Sequence, residues 1–433
     1  MSENRFMIRV GAVCLLLASM ASATVAQQPQ SWNQWRGPAR DGVGDASALP
    51  AELPAELTRV WQVPVGVGHA SPLVVGDAVF LHSREGKQEI VSALGLADGI
   101  EMWRRGYDAA YTMHPAARSH GPGPKSTPIH ANGRLFTFGI TEILSAFNAA
   151  TGELLWQREF SDMYPETAPI YGTSMSPVVV DDKLVVHIGW EQEGAVAAFD
   201  MATGETRWSN NEFTPGYASP IVVQIAGTDV IVTQSDKHII ALDVDGGATL
   251  WSMPFATASR QNSVTPLAFG EKLIFSGLDE DLFAVSLGPR GSVPLVGARA
   301  GASLLETGDW ESNELWRNKR LPLYMNSPVI VGNRLFGMTH KRAGQFICVN
   351  VETGEPIWAS RGREGENASI VALGDRVAFL TDEARLVIID VITDVYEPLA
   401  EYEVADTPTW AHPVFTSMGV LIKDLDSLTL WRF

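Results

Sequence analysis

The chain has 433 residues, 32 Lys+Arg against 50 Asp+Glu, a formal net charge of −18, 45% hydrophobic and 19% charged residues. That length exceeds one compact core, so several domains or a repeat are required; the composition excludes a disordered chain or a bundle of membrane spans. The acidity excludes broad phosphate-backbone binding, so nucleic acid is not an expected partner.

At the amino terminus, Arg5 and Arg9 precede the apolar run Val10 to Met20 and the small residues Ala21-Ser22-Ala23-Thr24-Val25-Ala26. This is the order of a secretory signal, predicted to span residues 1–26 with cleavage after Ala26. It implies a periplasmic or secreted protein with no membrane span after cleavage. The mature chain then holds Cys348 alone, so no internal disulfide is expected. Residues 27–60, rich in Pro and Gly, read as a lead-in crossing the outside of the fold before Trp61 joins it.

The remainder, residues 61–433, repeats one phrase: a short strand, a Thr-Gly or Asp-Gly turn, and a strand carrying Trp. Copies run from Ala93 through Asp98-Gly99 to Trp103, from Ala146 through Thr151-Gly152-Glu153 to Trp156, and from Ala198 through Thr203-Gly204-Glu205 to Trp208. Others run from Ala241 to Trp251 and from Cys348 through Thr353-Gly354-Glu355 to Trp358; drifted copies end at Trp316, Tyr402 and Trp431. A second phrase interleaves, a small residue plus Pro opening an apolar strand: Ser71-Pro72, Thr127-Pro128, Ser176-Pro177, Ser219-Pro220, Thr265-Pro266, Ser327-Pro328 and His412-Pro413, with Ala368-Ser369 lacking the Pro. Turns such as Asn132-Gly133 and Gly374-Asp375 then lead to another apolar strand, a hairpin signal. From Trp61 to Trp431 the interval averages about 46 residues, four short strands plus turns. The predicted fold is all-β, an eight-bladed β-propeller of four-stranded antiparallel blades. Its repeated Trp61, Trp103, Trp156, Trp208, Trp251, Trp316, Trp358 and Trp431 each wedge between neighbouring sheets. Burying one is worth about 4–5 kcal/mol by area.

Pro is best tolerated at the start of a strand, which puts the Pro strand innermost and the Trp strand outermost. The Trp-to-Pro connections then lie on one face, the funnel face, and the Thr-Gly turns on the other.

The Thr-Gly-Glu-x-x-Trp repeats resemble the quinoprotein-type propeller repeat shared by pyrroloquinoline quinone (PQQ) alcohol dehydrogenases and BamB-type propellers. The segment Trp32-Asn33-Gln34-Trp35-Arg36-Gly37-Pro38-Ala39-Arg40-Asp41-Gly42 is similar to the lead-in of bacterial PQQ-like repeat proteins. The resemblance implies an axial funnel whose mouth is built from residues just before each Pro strand. Those are His69, Lys125, Ser174, Tyr217, Ser263, Met325, Asn367 and Trp410, with Asn262 and Asn326 adjacent. In the enzymes, PQQ and calcium sit there. This chain departs from them with His69-Ala70-Ser71-Pro72 where they carry a Glu, with no cysteine pair, and with a shorter length. BamB-like members keep the ring and bind protein partners through loops, but are lipoproteins, and the lipid-modified cysteine is absent here.

Two funnel-face connections are long, Arg104–Ser126 and Gln157–Met175, the first carrying Arg118, His120 and Lys125. Together with Arg260 these are expected to gather positive charge at the mouth and favour a small anionic ligand. Asp279-Glu280-Asp281 reads as a solvated acidic turn rather than a calcium loop, and His114, His120 and His130 lack zinc-ligand spacing. The insertion 288–312 reads as a tolerated excursion from the fifth blade. The expectation is a monomeric, non-catalytic binding or scaffold module that engages a protein or small ligand at the funnel, with no cofactor assigned. The alternative is a PQQ- and calcium-dependent dehydrogenase.

Overall fold

The computed structural model describes residues 31–160, 169–258, 260–293 and 306–433; the expected signal segment lies outside them. No helix among the described residues is long and apolar enough to cross a membrane. Eight antiparallel sheets follow one another around an axis. In blade 1 the strands are Leu73–Val75, Ala78–Glu85, Gln88–Gly95 and Glu101–Asp108; the other blades repeat that order. The first strand of each blade faces the axis; in every blade but the seventh, whose first strand Ala368–Leu373 lacks it, a Pro just before the strand leaves no ladder donor unpaired. The last strand is outermost. The core is distributed, one apolar layer between each pair of neighbouring sheets, as a ring requires.

The repeat phrase is a blade-to-blade joint. Five outer-strand indoles lie against the glycine turn of the next blade. A Cβ on Gly99 would sit 2.9 Å from the ring of Trp61, on Gly152 2.5 Å from Trp103, on Gly204 2.8 Å from Trp156, on Gly247 2.3 Å from Trp208 and on Gly354 2.4 Å from Trp316. The same indoles donate their N–H to a carbonyl beside the turn: Leu96 (3.0 Å), Ala149 (2.9 Å), Met201 (3.1 Å), Val244 (3.0 Å) and Val351 (2.8 Å). The Asp or Asn opening each turn shapes it from within, as Asp200 does by accepting from the Ala202 and Thr203 amides at 2.8 Å.

The second phrase is a joint as well. The hydroxyl of the small residue before Pro accepts the backbone N–H of its counterpart in the preceding blade: His412 to Ser71 (2.8 Å), Ser71 to Thr127 (3.1 Å), Thr127 to Ser176 (3.0 Å), Ser176 to Ser219 (2.9 Å) and Thr265 to Ser327 (3.1 Å). A hydroxyl is needed there because the amide is buried and has no strand partner.

Two expectations are corrected. Trp431 is not an outer-strand indole: it lies on the third strand, Ser427–Arg432, of the eighth blade, whose outer strand is the amino-terminal Thr58–Pro64. Trp61 on that strand docks on blade 1, so the ring closes by joining the two ends of the chain. Blade 7 places Tyr402 in its outer strand instead, its hydroxyl donating to the Pro54 carbonyl at 2.7 Å.

The lead-in does not stay outside. Ser31 and Trp32 pair with Val75 and Val74 on the inner strand of blade 1. The chain then climbs the channel, turns at Trp35–Arg40 and descends along blade 7, where the Gly44 amide donates to the Ala372 carbonyl at 2.8 Å. Arg36 and Arg40 are buried inside and donate to the carbonyls of Pro328 and of Ser176 and Pro177, blades 6 and 3. Only beyond the short helix Ala46–Ala48 does the segment run outside, held by Arg376 on blade 7. The axial channel offers unpaired inner-strand backbone, and a polar, Gly-rich hairpin satisfies it better than water-exposed packing on the rim.

In blade 5 the insertion lengthens the last two strands to Pro289 and Trp310, and Thr307 bridges to Ser252 on blade 4. That return covers Trp251, which has no glycine turn to dock on.

Gly152 (φ +68°) and Gly133 (φ +72°) are both left-handed turn glycines of blade 2, but only Gly152 faces an indole. Gly133→Ala should cost the backbone penalty alone, about 1–2 kcal/mol. Gly152→Ala should cost at least twice as much in urea unfolding, and equal losses would contradict the docking role.

Candidate functional site: the axial cavity

At the funnel face the ring encloses a cavity of about 160 Å³. All eight residues that precede the Pro strands line it, His69, Lys125, Ser174, Tyr217, Ser263, Met325, Asn367 and Trp410, and Asn326 lies beside them. His120, at the end of the short helix Pro115–His120 in the long first connection, completes the rim. Arg118, Arg260 and Asn262 are not part of it. Arg118 is exposed, and Arg260 lines an adjoining groove over blades 2 to 4 that meets the cavity at Tyr171 and Tyr217. Asn262 is buried below the mouth, its amide donating to the carbonyls of Ser235 (2.7 Å) and Phe255 (2.8 Å). Asn326 lines the wall with its amide engaged by the Met338 backbone at 2.6 and 3.0 Å.

The floor is Trp35, which the lead-in lifts to this level. Its indole N–H donates to Thr265 Oγ1 at 3.1 Å and its ring meets His412 edge-on at 4.6 Å. Sequence reasoning missed Trp35 and His412, and also Tyr171, Gln261 and Tyr324. Gln261 and Tyr324 each stand one residue from a position singled out from the repeat, so that neighbourhood was the available signal. Trp35 had none, because its place depends on the threaded lead-in.

Around the wall the rings of His120 and Trp410 meet edge-on at 5.1 Å, those of Tyr171 and Tyr217 at 5.8 Å, and His69 tilts on Trp410 at 5.9 Å. The Lys125 ammonium donates to the Tyr171 carbonyl. Among the described residues no carboxylate lines the cavity. Burial without a counter-ion pulls the Lys125 amine down to about 8. Burial, and then the charges of Lys423 and Lys125, lower His69 to about 3; its Nε2 lies 2.8 Å from the His120 carbonyl and donates to it as a neutral imidazole. Burial and then Lys125 lower His120 as well. Lys423, just beneath, is buried with its ammonium on the Gly68 and Asp424 carbonyls, also without a bonded carboxylate. The interior at the axis is therefore cationic and aromatic in a chain of net charge −18.

A model of the family described as outer membrane protein assembly factor BamB matches residues 87–360. The chain belongs to the BamB family. BamB of Yersinia pestis is 29% identical over 236 residues, 54% of this chain and 55% of that protein. The lanthanide-dependent methanol dehydrogenase of Methylacidiphilum fumariolicum is 24% identical over 212 residues, 46% of this chain and 33% of the enzyme. The chain spans about half the length of the BamB sequences it matches. Among solved structures, BamB from Moraxella catarrhalis shares the ring with a TM-score of 0.59 at 16% identity, over 88% of this chain and 98% of that one.

The donor set of this BamB-family cavity does not suit the enzymes' calcium. Calcium takes clustered oxygens, carboxylates foremost, whereas here an ammonium projects from the wall and the described lining residues include no carboxylate. Nor does any group of three His, Cys, Asp or Glu side chains gather among the described residues. Asp279 of the acidic turn is tied to His340 at 3.0 Å and to Lys341, and Asp281 to Arg317 at 3.3 Å. His130 is held by Asn33 across the channel, and His114 caps its own short helix. Cys348 is buried in blade 6, where burial pushes its thiol up to about 12.

Because the Lys125 charge helps hold His120 down, Lys125→Met should raise the His120 pKa towards its ordinary value. An NMR titration of the His120 ring protons checks this; an unmoved midpoint would show that the two groups do not share one cavity.

Proposed function

We propose that this chain is a periplasmic or secreted, non-catalytic binding module whose axial cavity takes an anionic group, presented by a small ligand or by a side chain of a protein partner. The observation that carries the reading is Lys125: a desolvated ammonium, bonded to the Tyr171 carbonyl and paired with no carboxylate among the described residues, set among flat aromatic rings and amides. A buried cation without a counter-ion is costly, and an arriving carboxylate offsets that cost with a charge-assisted hydrogen bond. The aromatic walls add flat apolar contact area, and a cationic cavity in an acidic chain draws an anion inward. The BamB relatives, whose name describes assembly factors, support a binding rather than a chemical role. A PQQ- and calcium-dependent reaction has no support from the side chains present.

Calorimetry with benzoate and phthalate tests the reading. Binding is expected, and Lys125→Met should weaken it at least tenfold, ~1.4 kcal/mol, without lowering the melting temperature. The ammonium form of Lys125 and the carboxylate form of the ligand are the binding forms, so affinity should be highest near neutral pH and fall as pH rises through about 8. No binding at millimolar carboxylate, or equal affinity in the variant, would remove the proposal. Added PQQ and Ca²⁺ should give no dye-linked alcohol oxidation.

A further inference from the structure

We infer that the axial channel is a peptide-binding site and that residues Ser31–Asp45 are its resident ligand, recognised through Arg36 and Arg40. Three observations carry this. First, the ring is complete without the segment: all eight four-stranded blades are built from Thr58 onward, and Ser31–Trp32 only adds an extra edge to blade 1. Closure is achieved by Thr58–Pro64, not by the hairpin in the channel.

Second, the contacts are those of strand addition and side-chain capture rather than of layer packing. One limb runs antiparallel to blade 1 and the other parallel to blade 7, through the Val43–Ala372 bridge. Between them Asn33 exchanges hydrogen bonds with the His130 backbone on blade 2, its carbonyl accepting at 2.8 Å and its amide donating at 3.1 Å. The tip is a tight turn in which Arg36 (φ 60°) and Arg40 (φ 57°) adopt left-handed backbone. Their guanidiniums reach opposite walls, Arg40 to the Ser176 and Pro177 carbonyls at 3.0 and 2.8 Å and Arg36 to the Pro328 carbonyl and its own Asp41 carbonyl at 2.5 and 2.8 Å.

Third, both cations are buried, with relative exposures of 0% and 4%, and neither forms an ion pair among the described residues. Cationic side chains buried against carbonyl oxygens alone are a poor choice for a filler and a good one for a recognition element, since only a guanidinium spans the channel to those acceptors. The linker to the ring offers an exposed place to separate ligand from receptor, at Ala55 and Glu56.

The test uses the full chain with a protease site placed between Ala55 and Glu56 and cut after folding. The released segment is expected to co-elute with the ring in gel filtration. A labelled synthetic peptide of residues 31–55 should exchange into the cut protein, and the same peptide with Arg36→Ala and Arg40→Ala should bind at least tenfold more weakly. Loss of the segment together with a fall in the ring's thermal transition also fits, because it shows the channel depends on its ligand. Separate elution with an unchanged transition, or equal binding of the two peptides, overturns the inference. Where the inserted site impairs folding, hydrogen exchange on the unaltered chain decides. The Gly44 and Trp32 amides should exchange at least a hundredfold more slowly than free chain, and tail-like exchange overturns the inference.

Discussion

The contact on which this structure depends is an indole laid on a glycine of the next blade. It combines apolar burial, a directed N–H to carbonyl bond and a steric condition that no residue with a Cβ meets. Because both partners sit in one repeated phrase, most blades carry the socket for their predecessor and the plug for their successor, five joints being of this kind. Closure then needs no special device, only an outer strand for the last blade, and the amino-terminal strand bearing Trp61 supplies it. Where the socket is missing, the structure compensates: the insertion of blade 5 covers Trp251, and Tyr396 packs on Trp358 at 5.5 Å.

The ring leaves an axis lined by inner-strand edges, and the way this chain fills it sets the character of the site. The lower part is taken by the hairpin with its buried arginines, so the upper part is a blind cavity floored by Trp35 rather than a passage. Lys125, Lys423, Arg36 and Arg40 all lie near the axis; Asp424 and Asp426 stand near Lys423 and Asp41 near Arg36, but none of the three lines the cavity. Burial lowers the lysines to about 8 and the two arginines to about 10 and 9. A site of this sign is the physical basis of the anion-binding reading proposed above.

How much of the site was legible follows from where its residues stand in the repeat. Positions before the Pro strands recur with the blade period, and periodicity converts directly into a shared place around an axis; all eight line the cavity. Arg118 and Arg260 were assigned by charge and loop length, which carry no direction, and they point elsewhere. Asn262 has the right chain position but turns inward, because the Ser235 and Phe255 carbonyls need its donors.

By itself the sequence determined the all-β class, the count of eight, the order of strands from axis to rim and the face on which the long loops gather. Each of these follows from local turn chemistry and from a period, and both are properties of neighbours along the chain. Tertiary structure alone decided that Trp431 belongs to a third strand, that residues 31–45 thread the channel and that Trp35 floors the cavity. Those depend on which distant surfaces meet once the ring has closed, and a segment present in a single copy carries no period from which its partner could be read.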